Sequence, residues 1–181
     1  LINSKLAVQN KLIVELEAQL ADDPTSFGKN RVLSNLESVS NQDANAQVEV
    51  DRLKSNLQGV EDAWGVRKNE LSGSIRETAK RVADSQNILA DLKENFAGRI
   101  TEAQPALEVL NETVERTESE SNALRKLMDA ARNDANFGMQ SLIKESEDFI
   151  SRSAPKPPSV ENTRPKTSIG RNVATVIGST E

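Results

Sequence analysis

Between Val32 and Ala135, apolar residues recur at alternating steps of three and four, and charged or amide side chains fill almost everything between them. The stripe runs through Val50, Leu53, Leu57, Val60, Trp64 and Leu71. It continues through Ile75, Val82, Leu89, Leu92 and Phe96, then Ile100, Leu107, Leu110, Val114, Leu124 and Met128. A stripe this narrow predicts a coiled-coil seam rather than the broad face of a globular helix. A seam must be covered by another helix. Leu53, Leu57, Val60, Trp64, Leu89, Leu92, Leu107 and Leu110 are therefore the candidate interaction residues.

The same periodicity opens the chain at Ile2, Leu6, Ile13, Leu16 and Leu20, predicting a short helix over 1–21. It stops at Ala-Asp-Asp-Pro, where Asp23 can cap and Pro24 can begin a new helix. Residues 22–30 read as a connector, with Phe27, its one large apolar residue, pinning the turn onto a helix. A heptad-bearing rod follows over 31–151, with its first helix running from about residue 29 to Leu71. Breaks are expected near 72–74, 98–105 and 136–138, where a four-residue step coincides with Gly73, Gly98 or Gly138. Ser74 with Glu77 and Thr101 with Gln104 have the spacing of capping boxes. Two arrangements fit: an extended parallel coil of several copies, and helices folded back within one chain. The narrow seam favours the extended coil.

From residue 152 the character changes. The run Ala-Pro-Lys-Pro-Pro-Ser holds three of the four prolines beyond Ser153, Pro165 being the fourth, and a segment so rich in proline cannot be helix. Val173, Val176 and Ile177 then form a β-prone stretch of strand length between turn residues. Residues 152–181 read as an extended docking tail, steered by Arg164, Lys166 and Arg171 toward an acidic surface. The main contacts are expected on a neighbouring copy or another protein. The alternative is a tail folded back along its own acidic rod.

Composition narrows the class. Of 181 residues, 36% are hydrophobic and 3% aromatic, against roughly 45–50% apolar in an ordinary globular chain. Such a chain buries leucine and valine along a line and fills a three-dimensional core poorly. The net charge of −5 argues against nucleic acid as a partner. Residues 153–181 carry +2 of it, which leaves −7 on the first 152. No apolar run approaches the length of a membrane span. The chain starts at Leu1, already inside a helical pattern, as expected of a processed product or an excerpt.

The chain has no His, Cys or Tyr, which removes Ser-His-Asp and Cys-His catalysis and the Cys/His metal clusters. Carboxylates are spread over solvent-facing helix positions, where they pair with cations one turn away. Asp134, Asn136 and Glu145 match three positions of a calcium loop, but the glycine falls one place early. Asn111-Glu-Thr113 is a lone glycosylation sequon inside a predicted helix. Gln9, Asp43, Arg67, Thr78, Ser85, Thr117 and Ser121 fall on seam steps, where polar residues either set register or loosen the rod. Trp64, the sole tryptophan, reads as core packing in preference to a partner's anchor.

The sequence thus points to a non-enzymatic, all-α structural protein, an elongated coiled coil or long-helix bundle. No catalytic, cofactor or metal residue is assigned. It packs or self-associates through its seam and docks another protein by its tail. It has the general look of helical rods in large assemblies such as virus particles or extracellular structures. The alternative is a labile helical protein of a delivery or injection apparatus.

Overall fold

The computed structural model describes residues 1–40 and 44–154; of the proposed tail, Arg152 and Ser153 are the end of the last helix and not extended, and residues 155–181 lie outside the described residues. Within them the chain is helical, with no strand. The elements are α1 (Ile2–Ala21), α2 (Ser26–Glu37), α3 (Ala44–Asn95) and α4 (Ile100–Ser153). The two long helices have 52 and 54 residues, about 80 Å each at 1.5 Å per residue. They form an antiparallel hairpin, with Arg52 of α3 pairing with Glu145 of α4 and Arg81 with Glu120. The folded-back arrangement therefore replaces the extended parallel coil. The seam is covered from within the chain.

The third strand of the bundle is α1 followed by α2, both running in the direction of α4. Lys5 pairs with Glu115 and Glu118, Asp22 with Arg132, and Arg31 with Glu147. The whole is an up-down-up bundle whose first strand is broken once. α1 ends because Asp22 turns extended and Pro24 cannot continue the ladder. Asp23 Oδ1 then accepts hydrogen bonds from the N–H and Oγ1 of Thr25, and Ser26 starts the next helix. So α2 begins inside the stretch read as connector. Phe27 does not pin the turn: it is 81% exposed, while Thr25 is buried and Gly28 packs on α4.

The expected helix from 29 to 71 is instead divided after Glu37. The breaks expected at 72–74 and 136–138 are absent, because α3 runs through Gly73 and α4 through Gly138. Both glycines are carried by packing to either side of them. The turn at 96–99 is present, with Gly98 at φ +82°, a conformation that favours glycine. Neither capping box forms. Ser74 lies mid-helix and donates to the Glu70 carbonyl, and the residue capping α4 is Arg99. Pro105 sits inside α4 on an exposed position, where solvent can hydrate the carbonyl it leaves unbonded. Residues 134–145 are continuous helix, as is the sequon, where Asn111 donates to Glu115.

The core forms two clusters. One joins α1 to Trp64, Leu71, Ile75, Val82 and Leu89 of α3 and their partners on α4. The other joins α2 to Val50, Leu53 and Leu57 of α3 and to Met139, Leu142 and Phe149 of α4. All three strands change phase between the clusters. α4 makes its four-residue step from Ala135 to Met139, as its heptads predict. α3 steps Val60–Trp64–Lys68, one heptad earlier than expected, since Lys68 is half-buried and Arg67 exposed. The first strand breaks outright at Asp22–Thr25. A four-residue step turns the buried stripe around its helix, and placing all three changes at one level keeps the stripes facing each other.

Candidate functional site

The structure places the seam residues as a line between α3 and α4. Leu53, Leu57, Trp64, Leu89 and Leu110 are buried, and Val60, Leu92 and Leu107 pack against them partly exposed. Leu92 and Leu107 lie toward the hairpin tip, where Leu107 shares a hollow with Leu1 and Ile2 at the start of α1. Trp64 is a core residue, although its indole Nε1–H has no hydrogen-bond partner. The tail residues Arg164, Lys166, Arg171, Val173, Val176 and Ile177 lie outside the described residues, as does Asp43.

Five of the seam's buried polar residues gather at α1, whereas Ser146, under α2, accepts a hydrogen bond from Asn35. Thr78 and Ser85 of α3 and Thr117 and Ser121 of α4 are buried, each bonded to the carbonyl four residues back in its own helix. They satisfy themselves and bind nothing across the interface. Gln9 of α1 is the exception: it donates to the Val114 carbonyl at 2.9 Å, and its Oε1 is left without a partner. This belt holds α1 more weakly than leucines would.

Two faces of the hairpin differ. On one flank of the α3 seam, Glu61 pairs with Lys29 of α2, and Lys68, Ser72 and Arg76 face α1. The opposite flank carries the residues directly before each buried one: Arg52, Asn56, Ala63, Glu70 and Ile88 on α3, and Val109, Glu120, Leu127 and Asp134 on α4. No helix among the described residues covers this reverse face. Ile88, Val109 and Leu127 are about half or more exposed there, with Val66 beside them. The Arg52–Glu145 and Arg81–Glu120 pairs bridge the two helices across it. Between them lies a groove of about 880 Å³, with Val60, Trp64, Ala131 and Ala135 among its apolar lining. Gly59 and Ala63 widen it, and a Cβ at Gly59 would meet only open space. Glu70, Asp134 and Arg67 also line it.

The ion pairs stay at the surface. Arg52 holds the Glu49 carboxyl below its ordinary range through a hydrogen bond, and its own pKa is raised by Glu49 and Glu145. Glu118 and Glu115 likewise raise Lys5. Such exposed pairs fix register more than they stabilise. Among the described residues no cluster of acidic side chains is arranged to hold a metal ion. None of their helices is long and apolar enough to cross a membrane.

Three features of the packing were not singled out by the sequence pattern. Arg132 donates to the Gln19 and Asp22 carbonyls and to the Asp22 carboxylate, closing the C-terminus of α1. Gly28 gives α2 its close approach to Met139. The groove was signalled only by small residues at positions beside the seam. Compared with known protein families, curated proteins and solved structures, the chain matches none of them.

Proposed function

We propose that the protein is a non-enzymatic assembly component, a coiled-coil-type strut that sets a distance and docks a partner protein by residues 155–181. The observation that carries this reading is the use of the seam. Two helices of more than fifty residues spend nearly all their buried side chains on each other and on α1 and α2. That arrangement builds length and stiffness. The tail sequence supplies what the rod lacks, a proline-rich peptide and a short aliphatic segment of the kind that can add to a sheet edge. Deleting residues 155–181 tests it. The truncated protein should keep its helical content and melting behaviour but no longer enter the complex that captures the full chain. Normal incorporation of the truncated protein would discard the docking role.

A labile protein of a delivery apparatus is the second reading, and the buried polar belt favours it. Gln9, Thr78, Ser85, Thr117 and Ser121 lower the cost of opening the bundle along α1. Hydrogen exchange separates the two. Amides of α1 exchanging orders of magnitude faster than those of α3 around Leu53–Leu57 would support delivery, and uniform protection would support a permanent strut.

A further inference from the structure

We infer that the groove at Trp64 on the reverse face is the resting site of the chain's own segment Val173–Ile177. It goes beyond the docking role, since it says where the tail sits when no partner holds it.

Four observations lead there. The groove is an opening on a face that α1 and α2 leave bare, and Val60, Ala63, Val66 and Ala131 line it beside Arg67, Glu70 and Asp134. Its α3 wall, from Ser55 to Glu70, is about 22 Å long at 1.5 Å per residue. Val173 to Ile177 is five residues, about 17 Å when extended, and fits within that wall. Beyond α4, the most apolar stretch of the chain is this same segment, with Val173, Val176 and Ile177 in five positions.

Reach is sufficient. Ala135 lies 19 residues before the last described residue, about 28 Å along the helix. The 18 residues 155–172 span up to about 56 Å in polyproline geometry. A tether with that slack raises the local concentration of its end to the millimolar range, so the chain's own groove is filled before another copy's.

Charge follows the same path. Between the end of α4 and the groove, the reverse flank carries Asp148, Glu145, Glu49 and Asp134 against Arg52 and Arg152. Arg52 is already paired with Glu49 and Glu145. The tether brings Lys156, Arg164, Lys166 and Arg171 against Glu161. A basic strand returning over an acidic flank delivers the aliphatic segment to the groove. A partner that docks the tail must then displace it.

The absence of cysteine makes the test clean. In the full chain, Ala63→Cys on the exposed groove wall is combined with Val176→Cys and oxidised at low protein concentration. A second protein pairs Val176→Cys with Lys11→Cys, an exposed position on α1. The expected result is a disulfide within one chain for Ala63→Cys, formed at least tenfold faster than for Lys11→Cys. Adding Val173→Asp and Ile177→Asp should abolish that advantage while leaving the helical spectrum unchanged. Equal rates at the two sites, or a rate indifferent to the aspartates, would overturn the inference. A disulfide formed only between chains would also overturn it, because the groove would then belong to a second copy. None of these outcomes depends on capture by a partner.

Discussion

At the scale of single residues, the glycines divide into those the packing requires and those it tolerates. A Cβ at Gly28 would lie 1.9 Å from Met139 Cγ, deep inside van der Waals contact and not at the mobile end of the methionine. At Gly73 a Cβ would meet nothing, on an exposed stretch of continuous helix. Alanine also removes glycine's conformational entropy in the unfolded chain, which favours the helix by roughly 0.5–1 kcal/mol. At Gly73 only that gain applies. At Gly28 it is opposed by overpacking, typically about 1–3 kcal/mol. Opposite signs are therefore expected: Gly73→Ala raises the denaturation midpoint and Gly28→Ala lowers it. A Gly28→Ala protein as stable as wild type would mean that α2 does not approach α4 so closely.

At the scale of elements, the join between α1 and α2 depends on Arg132 and not on Phe27. Hydrogen bonds from a guanidinium to otherwise open helix-end carbonyls contribute about 1.5–3 kcal/mol. An exposed side chain such as Phe27 contributes within about 0.5 kcal/mol. Arg132→Ala should thus make the Asp22–Thr25 link markedly more sensitive to protease, and Phe27→Ala should leave it unchanged. The pattern of apolar steps made the helices and seam legible, because burial along a line imposes a period. The end of α1 could not be read the same way, since its partner lies 110 residues away and nothing local marks it. The division after Glu37 was written in Ser38, Ser40 and Asn41, but the surrounding valines and leucines keep heptad spacing across it. Gly73 and Gly138 misled for the converse reason. Glycine is permissive of a break, and tertiary packing decides whether one occurs.

Protonation acts at the same scale. Glu49 has a lowered pKa, so its pairing with Arg52 adds stability above the ordinary carboxylate range and loses it as pH falls through the folded value. Lys5 has a raised pKa, so its contribution is complete below about 10.5 and fades only as pH rises beyond that. The chain has no histidine, the side chain that ordinarily titrates near neutral pH, and neither of these two pairs changes there. Thermal stability should be flat near neutral pH and decline below about pH 5. A step near neutral pH would show that a group outside these pairs controls the fold.

At the scale of the whole molecule, the choice between an extended coil of copies and a folded-back chain turns on Gly98. Its left-handed backbone reverses the direction of the helix within four residues, and the Arg52–Glu145 and Arg81–Glu120 pairs hold the two arms in register on either side of Trp64. The neighbour that each seam needs is thereby supplied at fixed effective concentration by the chain itself. Unfolding is then a unimolecular event. The melting temperature should stay constant across a hundredfold dilution, whereas an obligate oligomer would lose stability by mass action. The bundle is long and thin, and two core clusters meet at the phase change around Trp64. Leu57→Ala belongs to the α2 cluster and should cost about 2–5 kcal/mol without altering the particle mass in solution. A melting temperature that rises with concentration, or a change of mass in Leu57→Ala, would show that copies share the seam. The rod would then be built between chains and not within one.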